Sequence, residues 1–350
     1  DAKMPMIAQK QIVPTDLSID QRVQCFGRSG PNIVAGLCAP GHVCVSSDDG
    51  VTWERRLRES FADYSVTAIC ILKNGTILMG SNGPLPKLWR STTWSTTYGA
   101  AWECVYDFDA IKTDRRWTHN VTSIIELDDG SVICHIKTPH AREVYNSTDE
   151  GQTWEHISSI PLPVDNMVYL GGKTLMTMVL RAGDYYQSDD GGHTWKHKHM
   201  YAVEPHIEPE TRSTGTTQDI YTAFRIPKTD IVVAANAATG IIHRTTNRGE
   251  SWHQCAKEVS HARYGKCSFA WINGMTFLTI SATGEILYSF NNGEDWEHML
   301  ALPHGMTAHS LSDTASGQHL LVGTSPHATM LRIDVIRLIE RRAQQNEFDK

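Results

Sequence analysis

The sequence predicts an all-β chain in which a small four-stranded antiparallel sheet is repeated around an axis. Three observations carry this reading. A short acidic turn sequence recurs six times; each copy is flanked by paired runs of strand-forming residues joined by turn signals; and helical spacing of apolar residues is confined to the extreme C-terminus.

The turn sequence first occurs as Ser46-Ser-Asp-Asp-Gly-Val-Thr-Trp53 and returns from Ser147 to Trp154 and from Ser188 to Trp195, giving S-x-D-x-G-x-T-W. Looser copies run from Thr245 to Trp252 and from Ser289 to Trp296. A degenerate copy, Ser95 to Trp102, keeps Ser, Gly and Trp but has lost the acid. Successive first positions lie 49, 52, 41, 57 and 44 residues apart, a period suited to one small antiparallel sheet. Each residue type has a local task. The Asp or Asn accepts from backbone amides further along the turn, Gly supplies a positive φ, the hydroxyl adds another local bond, and Trp opens the next strand with a large apolar surface. Asn stands at 247 and 291 and Thr at 97. A hard cation would tolerate those neutral replacements poorly, so a hydrogen-bonded turn and no metal is expected.

Along the chain, "RVQCFGRSGPNIVAGLC" with "HVCVS" precedes the first copy, and "VTAICILKNGTILMGSN" with "KLWRS" precedes the degenerate one. "VTSIIELDDGSVICHIK" with "EVYNS" follows, then "DNMVYLGGKTLMTMVL" with "DYYQS", "DIYTAFRIPKTDIVVAANA" with "IIHRT", and "CSFAWINGMTFLTIS" with "ILYSF". Each reads as strand, tight turn, strand, loop and a third strand entering the motif, after which Trp begins a fourth. "TAHSLSDTASGQHLLVGTS" and "ATMLRIDV" add three strands without a motif.

The S-x-D-x-G-x-T-W turn resembles the Asp-box, or BNR repeat, of the sialidase-like β-propeller superfamily, and the resemblance covers nearly the whole chain. It implies a single β-propeller of four-stranded antiparallel blades over residues 1–335, followed by a C-terminal amphipathic helix or tail over 336–350. The structural turn residues would be Asp48, Gly50 and Trp53; Asp149, Gly151 and Trp154; Asp190, Gly192 and Trp195; Asn247, Gly249 and Trp252; and Asn291, Gly293 and Trp296. In that family the box joins the third and fourth strands on the face away from the usual binding site. Six box-bearing blades plus the last strand set make seven, completed by a strand around Gln11 to Pro14; six blades is the alternative.

Composition bounds the function. A chain of 350 residues, 40 % hydrophobic, can bury a large core, and a formal net charge of -7 argues against a general nucleic-acid binder. No apolar run reaches the roughly 18 residues of a membrane span. No cleavable leader pattern opens the chain, although a start at Asp1 is compatible with one already removed. The eight cysteines include no C-x-x-C pair. Cys38 and Cys44 flank a turn where a cross-strand disulfide is conceivable, and the others sit in apolar runs as buried thiols are expected to do.

The resemblance also implies what an enzyme would require: three convergent arginines, a Tyr paired with a Glu, and an Asp acid. "FRIP", 224 to 227, resembles the arginine-bearing motif of sialidases and nominates Arg225. It lies in the fifth repeat, however, where sialidases carry the motif near the first. Arg181, Arg263, Tyr264 and Glu208 complete the candidate catalytic set. For binding, the long loops 106–120, 202–218 and 136–144 gather Arg115, Arg116, Trp117, His119, Arg142 and His206, a mixture favoured at recognition hot spots. His197 and His199 share one strand face. With no carboxylate or cysteine beside them in sequence, they are expected to be solvated strand residues.

At the C-terminus Val335, Ile336 and Ile339 have helical spacing, with Arg337, Arg341 and Arg342 off that face. The expected function is a non-enzymatic binding or structural scaffold without cofactor, recognising a protein or carbohydrate ligand through loops opposite the boxes. The alternatives are a sialidase-like glycoside hydrolase and a virion tail or adhesion component that forms a homo-oligomer through the C-terminal helix. An extracellular or virion-associated setting is favoured over the cytoplasm.

Overall fold

The computed structural model describes residues 8–11, 22–38, 43–56, 65–83, 87–92, 102–107, 119–138, 141–161, 164–179, 183–200, 221–236, 240–255, 267–280, 285–299, 302, 305–326, 328–337, 340 and 344. All of the described elements are strands. β1 (Ala8–Gln11) opens the chain. The first four-stranded unit is β2 (Val23–Ser29), β3 (Asn32–Leu37), β4 (Val43–Ser46) and β5 (Glu54–Arg56). The second is β6 (Val66–Ile71), β7 (Ile77–Gly83), β8 (Lys87–Ser91) and β9 (Glu103–Asp107). The third is β10 (His119–Glu126), β11 (Val132–Lys137), β12 (Arg142–Ser147) and β13 (Glu155–Ile160). The fourth is β14 (Val164–Gly171), β15 (Thr174–Val179), β16 (Asp184–Ser188) and β17 (Lys196–His199). The fifth is β18 (Tyr221–Arg225), β19 (Val232–Asn236), β20 (Ile242–Thr245) and β21 (His253–Gln254). The sixth is β22 (Cys267–Ile272), β23 (Met275–Ile280), β24 (Glu285–Ser289) and β25 (Glu297–His298). β26 (Thr307–Ser312), β27 (His319–Ser325) and β28 (Met330–Asp334) form the last unit, with β1 as its outer strand.

Within each unit neighbouring strands are antiparallel and, apart from β1 beside β28, consecutive in sequence. The second and third units are joined into one eight-stranded sheet by a short pairing of β10 with β7. The first strands close a ring: β2 touches β6, then β10, β14, β18, β22 and β26 follow in turn, and β26 returns to β2.

Burial grades outward from that ring. The second strands are buried on both faces, as in β19 and β23, whereas β17, β21 and β25 are mostly exposed. The cause is alternation along each second strand. Val232 and Ala234 pack toward the fourth unit, while Val233 and Ala235 pack toward the sixth, so every position meets a neighbouring sheet. Each of the seven hydrophobic clusters among the described residues lies between two successive units.

The Asn-Gly and Asp-Gly signals form the expected turns. Leu72 N donates to Thr76 O at 2.8 Å and Leu127 N to Ser131 O at 2.8 Å, with Gly75 and Gly130 at φ 89° and 84°. Ring closure pairs Ala8 with Ile333 and Gln11 with Met330. The closing strand therefore runs over 8–11, earlier than the expected 11–14, and residues 12–14 lie outside the described part. Arg28 adds a second tie across the same closure, donating from Nε and a terminal nitrogen to the Asp313 carboxylate at 3.0 and 2.6 Å.

The expected C-terminal helix is not among the described elements. Val335 is fully buried in the core between the last two units, and of the residues beyond it only Ile336, Arg337, Glu340 and Gln344 are described, with helical backbone. No disulfide joins Cys38 to Cys44 or any other pair. Among the described residues no helix is long and apolar enough to cross a membrane.

Candidate functional site

The ring has two dissimilar faces. Asp49 N donates to Pro31 O, Gly191 N to Lys173 O and Arg248 N to Asp230 O, so the turn between strands one and two lies beside the turn between strands three and four. The remaining connections leave from the opposite face, because neighbouring strands are antiparallel.

On the first face the repeated turns share one hydrogen-bond pattern. Ser46 Oγ donates to Asp48 Oδ1 and accepts from Gly50 N, while Asp48 Oδ1 accepts from Thr52 N, at 2.8, 2.9 and 2.8 Å. Ser147 to Thr153 and Ser188 to Thr194 repeat it. The Asn turns keep it too: Asn247 Oδ1 accepts from Ser251 N at 3.0 Å, Asn291 Oδ1 accepts from Asp295 N at 2.9 Å, and each amide donates to the side chain it faces. Trp53, Trp154, Trp195 and Trp296 donate from Nε1 to the carbonyl of their own turn glycine at 3.2, 3.1, 3.0 and 2.9 Å. At Trp252 the Gly249 carbonyl accepts instead from the Tyr185 hydroxyl, against whose ring the indole packs. Partial desolvation works against the charged carboxylate at Asp48, Asp149 and Asp190, but the hydroxyl and amide donors outweigh it. All three lie below the usual range, Asp190 at about 2. Residues 95–101 of the degenerate copy lie outside the described part, and Trp102 is buried.

Each turn also grips the preceding unit. A Cβ at Gly151 would stand 2.5 Å from Leu78 Cδ2, and one at Gly293 2.5 Å from Val233 Cγ2. Arg90 Nε donates to Glu150 O, Arg244 Nε to Asn292 O, and the Asp49 carboxylate accepts from Ala315 N and Ser316 N. Among the described residues this face therefore ties the second unit to the third, the fifth to the sixth and the last to the first.

The opposite face begins where the first strands enter the ring. Five of them carry a register shift near that entry, spanning Gln24, Thr67, Thr122, Asp165 with Asn166, and His309, all polar. Bulges re-aim side chains and are frequent at functional rims. Several of these polar groups are engaged in holding the ring. Thr67 Oγ1 donates to Val121 O at 2.7 Å, and Asn166 donates to Ala223 O and accepts from Ala223 N at 2.9 and 3.2 Å. Ser123 Oγ accepts from Met167 N, Ser268 Oγ from Leu311 N, and Ser310 Oγ donates to Val23 O. Longer thiol contacts, Cys25 to Val66 O and Cys267 to Ala235 O, span the two remaining junctions. Thr122 bonds the ring of His135, a fully buried imidazole that desolvation first and the Arg142 charge second push down to about 3, so it is neutral.

The candidate residues fall unevenly on this frame. Arg181, Arg263, Tyr264, Glu208, Arg115, Arg116, Trp117 and His206 lie outside the described residues, as does the side chain of His119. Arg225 ends β18 on the face of the repeated turns, where its Nε donates to Thr229 O at 2.8 Å within its own turn. Arg142 is only 5 % exposed; it donates to Val164 O, Thr138 O and Ala141 O, tying the third unit to the fourth.

One cluster escaped the sequence. His197 and His199 do have a carboxylate beside them, contrary to expectation, because β16 pairs with β17 in a register that places Asp184 opposite His199. Asp184 Oδ2 lies 3.1 Å from His197 Nε2 and Oδ1 lies 2.6 Å from His199 Nδ1. The signal was present in "DYYQS" and "KHKH", but only cross-strand register joins them. A related cluster occurs one unit earlier, where Glu143 bonds His156 Nε2 at 2.6 Å and the Ser159 hydroxyl at 2.5 Å.

No family model and no curated protein matches this chain. Solved structures do. YCF48 bound to D1 peptide superposes with a TM-score of 0.65 at 13 % identity, covering 93 % of this chain and 94 % of that one. YCF48 from Cyanidioschyzon merolae gives 0.63 at 11 % identity, covering 93 % and 98 %. The α-L-arabinofuranosidase Arb93A from Fusarium graminearum, in complex with an iminosugar inhibitor, gives 0.51 at 14 % identity, covering 78 % and 94 %. At such identities the likeness shows the fold alone, and that fold is a β-propeller.

Proposed function

We propose that this chain is a seven-bladed Asp-box propeller acting as a binding scaffold for a protein or peptide, engaged on the face opposite the boxes. The observation that carries the reading is the division of labour between the faces. The face of the repeated turns is committed to turn bonds and ties between units, while the other, although its first strands are also tied to one another, carries the bulges and is where the strands joined by the long connections 200–220 and 255–266 begin and end. The blade count is supported by the seven first strands that close on one another. The recurring hydrogen-bond pattern supports the Asp-box reading of the turns. YCF48, a structural neighbour, is described bound to a peptide, which agrees with a polypeptide partner here; fold likeness on its own assigns no function.

The test is hydrogen exchange on the intact chain with peptides selected against it from a random library. Protection is expected at the entries of β10, β14 and β26, with the box turns unchanged. Protection confined to the box face would overturn the assignment of faces. Turnover of a sialoside or arabinoside that is abolished by Glu208→Gln would replace the scaffold reading with that of a hydrolase.

A further inference from the structure

We propose that Asp184, His197 and His199 form a binding site for a zinc-class divalent transition-metal ion on the outer edge of the fourth unit. Among the described residues this is the one group of three or more His, Cys, Asp or Glu whose ligand atoms converge, all lying within 4.8 Å of one another. Two imidazole nitrogens and one carboxylate oxygen are the borderline donors that such ions select. Metal–nitrogen and metal–oxygen bonds near 2.0–2.2 Å need donors roughly 3–3.6 Å apart. The observed separations of 2.6 and 3.1 Å from the carboxylate to the two rings are within reach by small side-chain rotations.

The scaffold beneath these donors is rigid. Asp184 and His199 are a directly opposed cross-strand pair, and His197 stands opposite Tyr186, on which its ring stacks with centroids 4.9 Å apart and an interplanar angle of 20°. Tyr186 is itself 6 % exposed, so the platform is fixed in the core between the third and fourth units. The Asp184 side chain is 16 % exposed and each histidine side chain 38 %, which leaves the open side of the group to water and completes the coordination of a three-ligand site.

The repeat supplies an internal comparison. Acid–histidine pairs recur at the corresponding place in the third unit, Glu143 with His156 at 2.6 Å, and in the sixth, Glu285 with His298 at 3.7 Å. An acid and one histidine are therefore an ordinary cross-strand pair of this ring. What distinguishes the fourth unit is the third donor. Opposite Glu143 the register places Ser159, whereas opposite Asp184 it places His199. A neutral hydroxyl is a poor ligand for such an ion, so His199 converts a surface pair into a chelate.

The experiment titrates the full-length protein with Zn2+ by calorimetry and with Co2+ by visible absorption, which reports a low-coordinate nitrogen and oxygen environment. One ion per chain is expected at this group. His199→Ser, which gives the fourth unit the side chain of the third, should weaken binding by at least the ~10–100-fold that even an outer-shell change costs. Ser159→His should create a second site. Thermal melts without metal check that each variant is folded. Stoichiometric binding that survives both His199→Ser and Asp184→Asn places the ion on other histidines and overturns the proposal, as does the absence of saturable binding by the unaltered chain.

Discussion

At the scale of single residues, the acids of the repeated turns act through acceptor geometry more than through charge. Asn247 and Asn291 make the same amide contacts as Asp48, Asp149 and Asp190. Asp190→Asn should therefore change stability at pH 7 by less than about 1 kcal/mol, whereas Asp190→Ala, which strands the Thr194 amide and two hydroxyls, should cost about 1–2 kcal/mol. The ionised form adds a pH signature. Because the Asp190 carboxyl is lowered to about 2 from 3.8, its contribution is fully present above about pH 4 and is lost as the pH falls through 2. Urea unfolding at pH 7 and pH 3 should show the wild-type advantage over Asp190→Asn shrinking on acidification. A difference that grows instead would mean that the hydroxyl and amide bonds do not hold the charge.

At the scale of the element, the turns separate two uses of glycine. Gly75 has φ 89° with open space around a would-be Cβ, while Gly151 has φ 80° and Leu78 of the preceding unit against it. Gly75→Ala should cost about 1–2 kcal/mol for the left-handed backbone alone, and Gly151→Ala should add the ~1–3 kcal/mol of forced repacking. Equal urea midpoints for the two variants would deny the packing role. Local chemistry made these elements legible: "KNGT", "DDGS" and the S-x-D-x-G-x-T-W copies encode their turns within a few residues, and alternation encodes the strands. What depends on pairing was hidden. The Asp184 contact with two histidines needs the β16–β17 register. The burial of Arg142 needs Val164 from the next unit, and the polar bulge residues became recognisable as ties only once the first strands stood side by side. The FRIP match was legible as a motif but not as a location, and the Arg225 side chain turns into its own loop.

At the scale of the whole molecule, the ring is shut by a strand from the other end of the chain. β1 covers β28 over four residue pairs, and the Arg28–Asp313 pair spans the adjoining junction. Deleting residues 1–11 should lower the stability of the entire ring by several kcal/mol, since every hydrophobic cluster depends on having units on both sides. A synthetic peptide of residues 1–11 should restore much of the loss by adding a strand in trans. An unchanged melting temperature after the deletion would show that closure rests on the first strands alone.

The outer strands have a further consequence. Each four-stranded unit ends in an edge strand, and an edge strand is where one chain can template another into aggregates. Here β21 and β25 are two residues long, and β17 reads Lys-His-Lys-His. Short edges give a neighbouring strand little length to pair with, and positively charged edges repel a second copy of themselves. The same brevity thus protects a chain whose described elements are all strands from growing at its own margins.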